Sequence, residues 1–158
     1  MTQAHTMAPG RFKHFKTDVL GDGILLAGFD YSGKSVNVLN VESLTEWQEI
    51  VRLAEQSAAV NSVVLVSLKE GNFCAGADLE QMHDAQRLRS FHEMEQLVIT
   101  THRLFDAMER SQKPFVAAVE GVCVGGGFEL ALACHARVAS THPRTGFALP
   151  EVKLGILP

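Results

Sequence analysis

Three consecutive glycines, Gly125, Gly126 and Gly127, follow an apolar run, and a glutamate, Glu129, comes two residues later. A second glutamate, Glu151, stands directly after Pro150. Glycine lets a backbone N–H come close to a ligand, and a helix start adds partial positive charge there. Such a turn can hold an oxygen that gains negative charge, while nearby carboxylates move protons. A second turn of small residues, Asn72-Phe73-Cys74-Ala75-Gly76-Ala77-Asp78, also follows an apolar run and could aim another N–H at the same oxygen. In α/β sheets, ligands gather beyond the carboxyl ends of the strands. The residues alone leave plainer readings open. The small-residue loop can be a tight turn, Glu129 an acid favoured by the dipole of a first helical turn, and Glu151 a surface charge.

The elements that must position these groups follow from pattern. Thr17 to Leu20 and Ile24 to Phe29 read as two strands around Gly21-Asp22-Gly23. Ser43-Leu44-Thr45-Glu46 matches a capping box and opens a helix with Leu44, Trp47, Ile50, Val51 and Ala54 at helical spacing. The β-branched run Val63 to Val66 reads as a strand buried on both faces. A loop from Glu70 to Asp78 leads to one long helical stretch with Leu88, Phe91, Met94, Leu97, Val98, Leu104, Phe105 and Met108 on one stripe. Phe115 to Val119 reads as a buried strand, Gly127 to Ala133 as a helix and Ala136 to Ser140 as another strand. Strands alternating with helices mean an α/β fold with largely parallel pairing.

The 158 residues fit one domain, and 46% apolar with 20% charged residues fit a globular core. A net charge of -4 argues against nucleic acid as the main partner. The cluster Arg11, Lys13, His14 and Lys16 reads as a solvated segment next to a flexible lead at residues 1–12, leaving a core domain over 13–158. The cysteines, Cys74, Cys123 and Cys134, are odd in number and sit among apolar or small residues, which points to a reducing compartment. Neither a signal peptide nor an apolar run long enough to span a bilayer is visible.

Other motifs carry less. Gly28 to Ser35 satisfies the phosphate-loop pattern G-x-x-x-x-G-K-S, but that pattern requires a helix to start at the Lys-Ser, and Val36-Asn37-Val38-Leu39-Asn40 follows instead. The histidines, at 5, 14, 83, 92, 102, 135 and 142, show no metal-ligand spacing and read as solvated or partly buried, so no metal is expected. Cys74 reads as a small packed residue rather than a nucleophile.

Three blocks in register, C-A-G-A-D-L, G-V-C-V-G-G-G-F-E-L-A-L-A-C and L-P-E-V-K-L-G-I-L-P, resemble the crotonase (enoyl-CoA hydratase/isomerase) superfamily. The resemblance runs from about Phe15 to Pro158 and is most similar to the hydratase portion of multifunctional fatty-acid oxidation alpha subunits. G-K-S-V-N-V-L-N resembles the family's early substrate-loop region. The resemblance implies a crotonase-like (ClpP/crotonase) spiral of ββα turns. It implies that Ala77 and Gly126 offer the two backbone N–H groups of an oxyanion hole, and that Glu129 and Glu151 match the catalytic glutamates of hydratases. Gly76 and Gly125 would then shape the two turns of the substrate loop, and Asp78 would anchor it.

The chemistry so implied is addition of water to a trans-2-enoyl-CoA, giving a 3-hydroxyacyl-CoA in fatty-acid β-oxidation. Glu129 would activate the water and Glu151 would supply the proton to C2. No cofactor is expected, because coenzyme A is part of the substrate. Isomerisation of 3-enoyl-CoA on the same fold stays open, as does an inactive truncated chain. The implied partners are the acyl-CoA thioester and either further copies of the chain, as a trimer-type homo-oligomer, or a β-oxidation complex; the implied location is cytoplasmic, or the mitochondrial matrix in a eukaryote. Leu157-Pro158 comes straight after a turn signal, before the family's C-terminal helices, so the reading expects the C-terminal part of the fold to be missing.

Overall fold

The computed structural model describes residues 10–87 and 91–158. In chain order its strands are β1 (Phe15–Leu20), β2 (Ile24–Phe29), β3 (Ser62–Ser67), β4 (Asn72–Cys74), β5 (Phe115–Val119), β6 (Val122–Val124), β7 (Ala136–Ala139) and β8 (Gly146–Ala148). Its helices are α1 (Val41–Gln56), α2 (Leu79–Arg87), α3 (Phe91–Glu109) and α4 (Gly126–Leu132), with short 3-10 turns at Gly21–Gly23 and Pro150–Leu154. One sheet has the order β1-β2-β3-β5-β7 and the other β4-β6-β8. Among the described residues, only the β1–β2 hairpin is antiparallel and every other strand pairing is parallel. Successive strand pairs (β3 and β4, β5 and β6, β7 and β8) place one strand in each sheet. With helices between the pairs, this is the ββα spiral.

The core lies on one face of the larger sheet. Leu25, Ala27, Phe29, Val63, Leu65, Phe115, Ala117 and Val119 alternate inward along the strands and are buried. Trp47 of α1 closes this layer: it stacks near Phe15 at 5.5 Å, meets Phe115 edge-on at 6.3 Å and donates its indole N–H to Met108 Sδ at 3.2 Å. Aromatic rings thus lock α1 and α3 onto the strands whose ends carry the glycine turns.

Several expectations are corrected. β3 is buried on one face only, since Val64 and Val66 are half-exposed, so its continuous β-branched run reflects strand propensity rather than two covered faces. The cap of α1 is Asn40, three residues before the expected Ser43. Asn40 accepts from Ser43 N at 3.1 Å, and Ser43 Oγ accepts from Asn40 N at 3.0 Å. Glu46, expected to close the box, instead accepts the N–H groups of Lys13 and His14, both at 2.8 Å. Tertiary demand for that carboxylate outweighs the local motif.

The basic cluster is therefore not solvated as a unit. His14 is fully buried and stacks on Tyr31 at 4.0 Å, Arg11 pairs with Glu49 at 2.6 Å, and Phe12 packs against the core. Residues 1–9 of the expected lead, with His5, lie outside the described residues. The long helical stretch is two helices, α2 and α3, and Leu88 lies outside the described residues. On α3, Leu104 and Met108 are buried while Phe91 and Val98 are exposed. β4 lies inside the expected loop from Glu70 to Asp78, and β6 and β8 carry no sequence expectation; at three residues each these strands are too short to show a period. No helix starts at Lys34-Ser35, which settles the phosphate-loop match against that fold. Among the described residues, no helix is long and apolar enough to cross a membrane.

Candidate active site

The two glycine turns meet where β4 and β6 run side by side. Asn72 pairs with Val122 and Cys74 with Cys123, so the segments after them leave the sheet together. A Cβ added to Gly76 would stand 2.9 Å from Val124 O and 3.2 Å from Gly126 N. Gly76 also has φ +87°. Both the space and the dihedral require glycine. A Cβ added to Gly126 would lie 3.8 Å from Ala77 N, so the two turns bring the candidate N–H groups close together.

The direction of each N–H follows from the carbonyl of the same peptide, because a trans peptide points its C=O and N–H in opposite directions. Leu39 N donates to Gly76 O at 2.8 Å, which turns the Ala77 N–H away from Leu39. Gly125 O accepts from Phe128 N at 2.8 Å and Glu129 N at 3.0 Å, which turns the Gly126 N–H outward from the first turn of α4. Neither N–H donates to an acceptor among the described residues. Gly125 takes φ 54° and ψ -136°, a conformation open essentially to glycine alone, and its own N–H is used by Ala148 O at 2.9 Å.

Both carboxylates flank the same two glycines. A Cβ on Gly125 would be 2.6 Å from Glu151 Oε1, and one on Gly126 would be 3.7 Å from Glu129 Oε2. Glu129 sits in the first turn of α4, while Glu151 is delivered by the Pro150–Leu154 turn directly after β8. Burial raises the Glu129 carboxyl above its ordinary range, the Glu151 charge raises it further, and His102 on α3 pulls the other way. Glu151 Oε2 is buried with no hydrogen-bond partner among the described residues.

A second network holds the Ala77 turn. Asp78 Oδ1 accepts from Lys34 Nζ at 2.9 Å and from Glu80 N at 3.2 Å, the latter in the manner of a cap at the start of α2. Its Oδ2 accepts from Asn40 Nδ2 at 3.3 Å, and Asn40 Nδ2 also donates to Tyr31 OH at 2.5 Å. Burial opposes ionisation of Asp78, yet Lys34, Asn40 and the Glu80 N–H together hold its carboxyl below the usual range.

Sequence reasoning missed Lys34, Asn40 and His102 as neighbours of the site. The asparagines of Val36-Asn37-Val38-Leu39-Asn40 were the available signal, because a polar residue amid apolar ones needs buried partners. Burial pushes the thiols of Cys74, Cys123 and Cys134 up to about 12, so they pack as small apolar groups. Among the described residues, no group of His, Cys, Asp and Glu side chains is placed to hold a metal ion.

Comparison with known proteins bears on the family and the fold. The family model described as Enoyl-CoA hydratase/isomerase matches residues 23–158. The fatty acid oxidation complex subunit alpha of Idiomarina loihiensis is 38% identical over 146 residues, 92% of this chain and 20% of that protein. The enoyl-CoA hydratase of Bacillus anthracis superposes with a TM-score of 0.80 at 28% identity, over 92% of this chain and 54% of that one. That of Shewanella pealeana reaches 0.86 at 24% identity over 100% of this chain and 57% of that one, a likeness of fold. The chain spans about a fifth of the length of the curated relatives it matches. With the family model running from Gly23 to Pro158 over the strands, turns and helices just described, the chain belongs to the enoyl-CoA hydratase/isomerase family.

Proposed function

We propose that the site adds water across the double bond of a trans-2-enoyl-CoA, as the hydratase part of a fatty-acid oxidation protein. The observation that carries this reading is geometric: Glu129 and Glu151 flank the two adjacent glycines of one turn, beside two uncommitted N–H groups. Two carboxylates side by side can divide the acid and base roles between them. Hydration needs both roles at once, a base for the water and an acid for carbon.

The thioester oxygen accepts from Ala77 N–H and Gly126 N–H. As water attacks C3, the C2–C3 π electrons move toward that oxygen, and the N–H pair meets the charge as it forms. One such donor is worth roughly 10²–10³ in rate. Glu129, in the first turn of α4, takes a proton from the water. Glu151 gives a proton to C2. The substrate gains one water, and the pair ends with the same total charge. Glu151 Oε2, buried and without a partner among the described residues, is an oxygen that a bound water or a proton would satisfy. Coenzyme A enters with the substrate, and no step calls on a metal or a redox cofactor.

The test is turnover by the full-length protein. With trans-2-butenoyl-CoA, hydration consumes the conjugated enoyl-thioester absorbance. With a trans-3-enoyl-CoA, an isomerase would create that absorbance. Loss of signal with the first substrate and none gained with the second supports hydration; the reverse pattern would overturn it. Glu129→Gln and Glu151→Gln are the paired controls.

A further inference from the structure

Asn37 is fully buried and carries no charge, yet its side chain bonds to three separate strands. Its Oδ1 accepts from Tyr31 N at 2.8 Å. Its Nδ2 donates to Phe29 O at 3.0 Å, Ser67 Oγ at 2.9 Å and Phe73 O at 3.1 Å. Its backbone N donates to Asn72 Oδ1 at 2.9 Å, and its backbone O accepts from Ala75 N at 2.8 Å. One carboxamide therefore joins β2, β3 and β4, which belong to two different sheets.

Leu39, two residues further on, brackets Ala77. Its N donates to Gly76 O at 2.8 Å and its O accepts from Asp78 N at 2.9 Å. The first of these bonds sets the plane of the Gly76–Ala77 peptide and so the aim of the Ala77 N–H. Nothing in the Ala77 turn itself fixes that plane. It depends on the 37–39 segment, which Asn37 ties to β2, β3 and β4 while Ser43 Oγ donates to Val38 O at 3.0 Å.

We propose that Asn37 is a positioning residue for the Ala77 N–H, holding Leu39 against Gly76 so that this donor points into the site. Asn37 does not touch substrate, and its effect passes through Leu39. The inference rests on the oxyanion-hole reading of Ala77. Asn37→Ala removes all of the side-chain bonds, and Ser67→Ala takes one acceptor from Asn37, along with the Ser67 bonds to Lys69 and Asn72, with little change in volume, so it serves where the first variant fails to fold.

The full-length protein is examined in two ways. Amide hydrogen exchange needs no substrate, and the variants should speed exchange at Leu39 and Asp78, whose N–H groups donate to Gly76 O and Leu39 O, while leaving Phe128 and Glu129 of the other turn as in the parent. Infrared spectra of bound trans-2-butenoyl-CoA with a ¹³C-labelled thioester carbonyl report how strongly the site polarises that oxygen. The variants should lose part of the carbonyl downshift and lower kcat by about 10- to 100-fold, with KM changed far less. A purely structural Asn37 would lower the melting temperature but leave the carbonyl frequency and kcat per folded molecule unchanged, and that result would overturn the proposal. A parent protein that binds the thioester without shifting its carbonyl would sink the oxyanion-hole reading instead, while the exchange result would still judge whether Asn37 holds the loop.

Discussion

The two turns that supply the candidate N–H groups are held in different ways. The Gly126 turn is built from within: its carbonyl at Gly125 is taken by Phe128 and Glu129 of the helix it starts. The Ala77 turn is built from outside: its carbonyl at Gly76 is taken by Leu39, and its flank at Asp78 is held by Lys34 and Asn40. Local hydrogen bonds close a small loop at little entropic cost, whereas contacts across nearly 40 residues form only once the sheets have assembled. The first turn should therefore fail through its own backbone, and the second through distant partners.

The largest effect should come from the backbone itself. Gly125→Ala forces a side chain into a conformation reserved for glycine and into Glu151 Oε1. Backbone strain of this kind costs roughly 1–3 kcal/mol before the clash is added. Hydration should disappear, and thermal melting should show a destabilised fold; a stable, active variant would show that the turn tolerates another geometry. Gly76→Ala should behave alike, since its Cβ would press on Val124 O.

Glu129→Gln and Glu151→Gln come next. Each keeps the shape of its turn and removes one proton-transfer group, typically worth about 10²–10⁴ in rate. Steady-state kinetics should show the loss in kcat with thioester binding nearly intact. Full activity in either variant would remove that residue from the proposed pair.

A smaller contrast should appear in stability against pH. Folding raises the Glu129 carboxyl, through burial first and then Glu151, so the folded state grips that proton more tightly than the unfolded chain does. Stability falls as pH rises from the ordinary glutamate value through the raised one, then levels off. Asp78 runs the other way: its folded carboxyl is held low, so its contribution is complete above the unfolded value and is lost as pH falls through the folded one. Denaturant melts between roughly pH 3 and 8 should show Glu129→Gln removing the loss on the rising side and Asp78→Asn the loss on the acid side. If both variants left the profile unchanged, the opposed environments of the two turns would not be energetic facts.

The smallest effect should be Glu80→Gln. Its carboxylate holds Lys34 at 2.7 Å but is 85% exposed, so solvent screens the pair. The melting temperature should barely move, and Asp78 should keep its lysine. A large loss would mean that the Ala77 turn depends on a surface pair more than on its buried network.

Much of this was legible in the chain. The strand Phe115–Val119 falls on the expected residues because alternation and turn signals are local properties of the sequence. The glycines at 76 and 125 mark their turns because only glycine takes those dihedrals cheaply. Other features needed the assembled fold. Ser43-Leu44-Thr45-Glu46 satisfied a local capping rule, but Glu46 is worth more to the N–H groups of Lys13 and His14 than to its own helix start. The three-residue strands of the second sheet exist only because each finds a parallel neighbour; alone, none is long enough to declare itself.

The sequence by itself determined which residues could do chemistry: glycines that bare an N–H, glutamates that move protons, and apolar runs that build a sheet to carry them. Only the tertiary structure decided that the Ala77 and Gly126 turns come close together, that Glu129 and Glu151 flank the same two glycines, and that Asn37 ties β2, β3 and β4 together. The reason is physical. Residue type and dihedral preference act over a few neighbours, while the aim of an N–H and the cost of a buried charge depend on which distant groups the packed core brings within hydrogen-bond reach.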